Sequence, residues 1–206
     1  EADNTFLINT VLEKKTSIAI TSKIEHHAVL HTLEELEKRN LLKILYVNLD
    51  SQGHIDYKHL EQLLINNPES LVSLMHGNNE IGNLTDIERV GDLCKKTKSI
   101  FHSDTVQTIG HFNHNLSNNN IQSIVGSAHK FHGPKGIGFL YINSNYKIPP
   151  YIMGGAQERN MRGGTENVSG IIGLSKALEL ATLEMKETKK YVEEWYGRQN
   201  KKVGKM

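Results

Sequence analysis

A single cysteine, Cys94, is all the thiol in this chain, which excludes an internal disulfide and any zinc or iron–sulfur site built from several of its own cysteines. That scarcity fits a reducing, cytosolic setting. No apolar run approaches the roughly 18 residues of a membrane span, and the opening Glu1-Ala2-Asp3-Asn4 lacks the basic-then-apolar order of a signal peptide. The expected location is the cytoplasm. Excess charge of one sign is also missing. With 24 Lys and Arg against 23 Asp and Glu, no global field draws the chain to nucleic acid or an anionic membrane, so an anionic ligand has to be held by local groups. Low-complexity linkers and internal repeats are absent as well. The remaining composition, 37% hydrophobic and 23% charged over 206 residues, is that of a protein with a core, either one domain or most of a larger one.

What is present is alternation. Apolar runs at 17–22, 44–47, 71–76, 99–104, 121–125 and 138–142 have strand length, and stretches of helical period separate most of them. This is the pattern of an α/β fold with a mostly parallel sheet sandwiched by helices. Ala28, Leu30, Leu33 and Leu36 mark one helical face. Asp56 is placed to cap a helix through Leu60, Leu63 and Leu64, a further helix spans 87–96, and a long one spans about 168–191. Three strands run into polar clusters: Gly77-Asn78-Asn79-Glu80-Ile81-Gly82, the segment from Asp104 to Gln107, and Gly126-Ser127-Ala128-His129-Lys130. Ligands in such sheets bind beyond the carboxyl ends of the strands, so these clusters should converge if their strands are neighbours.

A lysine at the mouth of a parallel sheet among small and hydrogen-bonding residues suits Schiff-base chemistry, for which the amine must be partly desolvated; most single lysines, however, are solvated surface charges. A pyridoxal 5'-phosphate site needs such a lysine, an acid facing the ring nitrogen and groups for the phosphate. Lys130 can supply the first and Asp104 the second, with Gln107 one turn further on to reach the phenolic oxygen. Ser127 and His129 can bracket the phosphate. Asp104 reads equally well as a helix cap, and Ser127 with His129 as a solvated loop.

The wording of these clusters resembles a family. Ser127-Ala128-His129-Lys130-Phe131-His132-Gly133-Pro134-Lys135-Gly136 is similar to the cofactor-lysine segment of the cysteine desulfurases, the NifS/IscS-type branch of the class V aminotransferases. Met75-His76-Gly77-Asn78-Asn79-Glu80-Ile81-Gly82, His102-Ser103-Asp104-Thr105-Val106-Gln107 and Arg162-Gly163-Gly164-Thr165-Glu166-Asn167 resemble three further signatures, in the family's order and spacing. The resemblance covers about residues 1–185. It implies part of the large domain of a fold-type-I pyridoxal-phosphate enzyme at 1–185, lacking its N-terminal part, with 186–206 the start of a C-terminal segment or an unrelated tail.

Carried over by position, the resemblance implies that Lys130 is bonded to the cofactor, Asp104 faces the pyridine nitrogen, Gln107 the phenolic oxygen, and Ser127 and His129 the phosphate. Glu25-His26 is similar to the segment whose histidine stacks on the ring, which makes His26 the acid–base candidate. Asn79 would lie near the cofactor and the substrate carboxylate, and Thr165 would reach the phosphate of a neighbouring subunit, so a homodimer is implied. The implied reaction takes sulfur from L-cysteine as an enzyme persulfide and leaves L-alanine. The sulfur then passes to an acceptor such as an iron–sulfur scaffold protein or a tRNA-thiolation system, with no direct nucleic-acid or membrane contact.

Cys94 falls at an apolar position inside a helix, the setting of a buried small hydrophobe and not of a mobile-loop nucleophile. The family's loop cysteine and carboxylate-binding arginine lie downstream of Met206, and its Gly-Ala-Thr turn lies upstream of Glu1. Both ends therefore read as truncations, and the chain alone is expected to be inactive. Other readings stay open: a selenocysteine lyase or another class V aminotransferase, a non-catalytic remnant of the fold, or a metalloprotein using His27, His31, His102 and Asp104, although no His-Glu-x-x-His pattern is present.

Overall fold

The computed structural model describes residues 1–116 and 120–203, with side chains as far as Tyr196. Six strands form one sheet in the order β2-β1-β3-β4-β5-β6. They are β1 (Ile18–Thr21), β2 (Lys43–Tyr46), β3 (Leu71–Ser73), β4 (Ile100–Asp104), β5 (Ser123–Ser127) and β6 (Gly138–Ile142). Every neighbouring pair is parallel except β5 with β6, which is antiparallel. The connection between those two strands explains the reversal. Residues 128–137 hold only a 3-10 turn, Ala128–Phe131, and a Gly-Pro-Lys-Gly bend, whereas a parallel crossover needs about a dozen residues or more, usually a helix.

Helices cover both faces: α1 (Ala2–Lys14), α2 (His27–Lys38), α3 (Tyr57–Asn66), α4 (Ile87–Lys96), the short α5 (Gln157–Asn160) and the long α6 (Val168–Val203). Alternation along the strands divides the core in two. Ala19, Leu71 and Ile44 pack with Phe6, Leu7 and Val11 of α1 and Val29, Leu33 and Leu36 of α2. Ile20, Val72, Phe101 and Ile124 pack on the other side with Leu60 and Leu64 of α3 and Val90, Leu93 and Cys94 of α4. Each fully buried Leu or Phe contributes roughly 1.5–3 kcal/mol. The cap predicted at Asp56 forms. Asp56 accepts hydrogen bonds from the backbone N–H groups of Lys58 and His59, and α4 spans 87–96 as expected, with Asp86 accepting from Arg89 N.

Several expectations shift. The strand read at 121–125 lies at Ser123–Ser127, because antiparallel pairing from Ser123 with Ile142 to Ser127 with Gly138 draws it two residues later. On α2 the buried face is Val29, Thr32, Leu33 and Leu36, so Ala28 and Leu30 sit at its margin. The sequence reading has no counterpart for α1, whose buried residues include Asp3, Thr5, Asn9 and Thr10 beside Phe6, Leu7 and Val11; so polar a buried face carries little apolar periodicity. The helix expected at 168–191 continues to Val203 and runs unbroken across residue 185. Of the segment set apart at 186–206, residues 204–206 lie outside the described residues. Among the described residues no helix is long and apolar enough to cross a membrane.

Candidate active site

Because β3, β4 and β5 are adjacent, the three polar clusters do converge at their carboxyl ends. The hydrogen bonds of the sheet continue past β3: Leu74 N donates to His102 O and His76 N to Asp104 O, holding the 77–82 loop beside the end of β4. Gly77 makes this approach feasible. A Cβ there would stand 2.6 Å from Thr108 Cγ2 and 3.6 Å from Gln107 Cβ.

Asp104 closes β4 as a buried carboxyl, 5% exposed. One oxygen accepts from Val106 N at 2.9 Å, and the other receives no hydrogen bond among the described residues. Burial pushes its pKa up to about 6, the charge of Asp3 adds to the rise, and Val106 N, His102 and His26 oppose it. A buried carboxyl in this condition is short of a cation. His26 caps α2, its Nδ1 accepting from Ala28 N at 3.1 Å. In the neutral ring this puts the proton on Nε2. Gln107 is half-buried in the turn 105–108, where Thr108 N donates to Thr105 O.

Lys130 lies on the 3-10 turn, its side chain exposed and without a hydrogen bond or ion pair among the described residues. Its backbone oxygen accepts from His111 Nε2 at 3.0 Å, and the turn packs on α6: a Cβ at Gly133 would meet Ala128 Cβ at 2.9 Å and Ala177 Cβ at 3.1 Å. Ser127 ends β5 and His129 sits inside the turn, not in an extended segment. The two side chains nevertheless meet, Ser127 Oγ lying 2.9 Å from His129 Nδ1. Asn79 is exposed and donates to Glu80 Oε1, while the neighbouring Asn78 is buried and donates to Ile24 O at 2.7 Å. Thr165 is exposed in the 161–167 loop, with no hydrogen bond to the cluster within this chain. His27 and His31 stack on each other, ring centroids 4.6 Å apart, and among the described residues no three His, Cys, Asp or Glu side chains are grouped to hold a metal.

Three features escape the sequence reading. His111 anchors the lysine turn, Asp3 pairs with His102, and Glu25 is fully enclosed. Glu25 Oε1 accepts from Met75 N at 2.9 Å and Ser22 Oγ at 2.8 Å, while Oε2 has no partner among the described residues. Burial, only partly offset by those two donors, pushes its pKa from the ordinary 4.5 up to about 8. Since the folded form keeps a proton that the unfolded chain has lost, stability falls as pH rises from about 4.5 to about 8. Glu25→Gln keeps the two acceptor contacts without the ionisation. It should flatten that part of the pH–stability curve and raise stability at pH 8 by on the order of 3 kcal/mol. Denaturant titrations at acid and alkaline ends of this window check it. A greater loss at the alkaline end would mean that the carboxylate is favoured as an ion.

Comparison with known proteins bears on the family and the fold. The family pattern described as Aminotransferase class-V matches residues 1–205. A cysteine desulfurase of Clostridium botulinum is 44% identical over 200 residues, which is 96% of this chain and 50% of that protein. One from Dictyoglomus turgidum is 47% identical over 174 residues, 84% of this chain and 44% of that protein. Among solved structures, a NifS-like protein superposes with a TM-score of 0.90 at 39% identity, covering 96% of this chain and 55% of the other. A NifS-like protein from Rickettsia africae gives 0.89 at 32% identity, covering 100% and 55%. The chain spans about half the length of the curated relatives it matches.

Proposed function

Because this chain belongs to the class V aminotransferase family, in the company of the cysteine desulfurases, we propose that the ends of β3, β4 and β5 hold pyridoxal phosphate and that the whole protein withdraws sulfur from L-cysteine. The observation that carries this is Asp104, a buried carboxyl with one oxygen unbonded and no ion-pair partner among the described residues, on the strand next to the one that leads into the lysine turn. A protonated pyridine nitrogen is the partner it lacks, so the residues present fit the group.

When bound, the cofactor supplies an electron sink for the substrate α-carbon. The chain's side chains do the rest. Lys130 Nζ, without a hydrogen bond or ion pair among the described residues, is the amine for covalent attachment. Asp104 accepts from the ring nitrogen and keeps it protonated, and the Gln107 amide donates to the phenolic oxygen. Ser127 Oγ and His129 bind phosphate oxygens, and Thr165 does so from a neighbouring subunit, so the site is complete in a homodimer. Asn79 lies toward the substrate carboxylate. His26 stacks on the ring and moves protons through Nε2. A cysteine thiolate of the whole protein, other than Cys94, takes the substrate sulfur as a persulfide. The substrate C–S bond breaks as it does so, and its electron pair stays with the carbon skeleton, which is protonated to L-alanine. The persulfide sulfur then passes to an acceptor such as an iron–sulfur scaffold protein. With a thiol reductant, the whole protein should release sulfide and L-alanine in equal amounts from L-cysteine. Formation of a keto acid without alanine would point to transamination instead.

Cys94 takes no part in the sulfur transfer. It is fully buried in α4, and burial pushes its thiol well above the usual range, so no thiolate is offered. Cys94→Ala should leave the rate of sulfide release in the whole protein within about twofold of wild type. A tenfold loss with the fold intact would reassign it.

A further inference from the structure

Behind Asp104 lies a second titratable pair. His102 precedes it by two residues on β4, so both side chains emerge on the same face of the sheet, the one that α1 covers. The His102 ring is wholly buried and stacks on Phe6 of α1, centroids 5.1 Å apart and planes at 21°. His102 Nε2 lies 3.1 Å from Asp3 Oδ1, also on α1, and Nδ1 has no partner among the described residues. The strand neighbours in register with His102 are Ser73 and Ser123, whose hydroxyls likewise lack partners among the described residues. Among the described residues, Asp3 is thus the only group hydrogen-bonded to the imidazole side chain.

We propose that Asp3 and His102 are positioning residues for Asp104, a buried acid–imidazole pair that fixes the charge Asp104 presents to whatever binds at the strand ends. The proposal rests on the reading of that site given above. Charged groups reach Asp104 from each element around it: Asp3 on α1, His102 on its own strand, His26 at the start of α2, and Glu25 in the connection before α2. Asp3 and His102 act in opposite directions. The Asp3 carboxylate disfavours ionisation of Asp104 and the imidazole favours it, and in this dry setting neither effect is screened as it would be in water. Paired, the imidazole offsets part of the larger Asp3 effect. Separated, each should be visible, which distinguishes a tuning pair from a bond that merely holds α1 to the sheet.

The test is the side-chain carbon NMR titration of Asp104 in the whole protein without cofactor, its signal assigned by its loss in Asp104→Asn. Asp3→Asn, which preserves size, should make Asp104 ionise about tenfold more readily, and His102→Gln about tenfold less readily. The double variant should fall between the two single variants. In the cofactor-loaded protein, nitrogen NMR of labelled pyridoxal phosphate should show the ring-nitrogen proton following Asp104. An Asp104 midpoint that does not move in Asp3→Asn, or single variants that shift it in the same direction, would overturn the proposal. Should His102→Gln not fold, Asp3→Asn decides alone. Failure to bind pyridoxal phosphate would count against the site's assigned function, while the carboxyl titration would still decide this one.

Discussion

Lys130→Ala in the whole protein is expected to abolish covalent retention of pyridoxal phosphate and to lower sulfide release from L-cysteine by on the order of a thousandfold or more. The size of the effect follows from the absence of a substitute. Lys130 lies on the turn that β5 leads into, its oxygen held by His111 and its Nζ free, while Lys135, the next lysine along, lies beyond the Gly133-Pro134 bend. The fold should survive. Lys130 is exposed and makes no side-chain hydrogen bond or ion pair among the described residues, so its removal takes little from stability. Lys130→Arg keeps the charge without an amine able to form the link and should be as inactive as Ala. Absorbance of the dialysed protein and sulfide assays read both variants. Near-normal turnover in either would place the attachment elsewhere.

Asp104→Asn should divide the two functions that Lys130→Ala removes together. The amide keeps the shape of the carboxyl but not its charge, so the ring nitrogen loses its proton more readily and abstraction of the substrate α-proton slows. By comparison with other deleted electrostatic partners, turnover should fall on the order of a hundredfold, with the cofactor still attached to Lys130. Stability moves the other way. The folded-state pKa of Asp104 is raised from 3.8 to about 6, so its ionisation costs stability as pH rises through that window. Asn removes the cost, and the cofactor-free variant should be more stable than wild type at neutral pH. Lower turnover with higher stability marks a residue kept for chemistry at the expense of the fold. Wild-type turnover with the cofactor bound would mean that Asp104 does not face the ring.

How much of this was legible depended on whether a feature announces itself locally. Val72, Phe101 and Ile124 lie in strand-length apolar runs, and Asp56 precedes a helical period by one residue. Strand, helix and cap could therefore be read directly, whereas the convergence of the three polar clusters was conditional on a strand order that the structure supplies. The side chains of Asp104, Gln107, Ser127, His129 and Lys130 could be placed at strand ends because strand ends are visible as changes from apolar to polar. Helix α1 was illegible because Asp3, Thr5, Asn9 and Thr10 are buried in it, and a polar residue signals burial only when its partner is known. The partner of Asp3 is His102, and that of Glu25 is Met75 N, each far along the chain. The reversal of β6 was implicit in the short 128–137 connection, which an apolar run alone does not reveal. Only proximity in space shows that Asp104 is held among Asp3, His102, His26 and Glu25.

The central claim is that the 127–130 turn carries the cofactor, and borohydride reduction of the loaded whole protein followed by peptide mapping tests it most directly. Reduction fixes the cofactor to the lysine that holds it, independently of turnover. The expected result is a single modified peptide containing Ser127-Ala128-His129-Lys130, with the reduced cofactor on Lys130. The label on Lys135, or on any other lysine, would contradict the account.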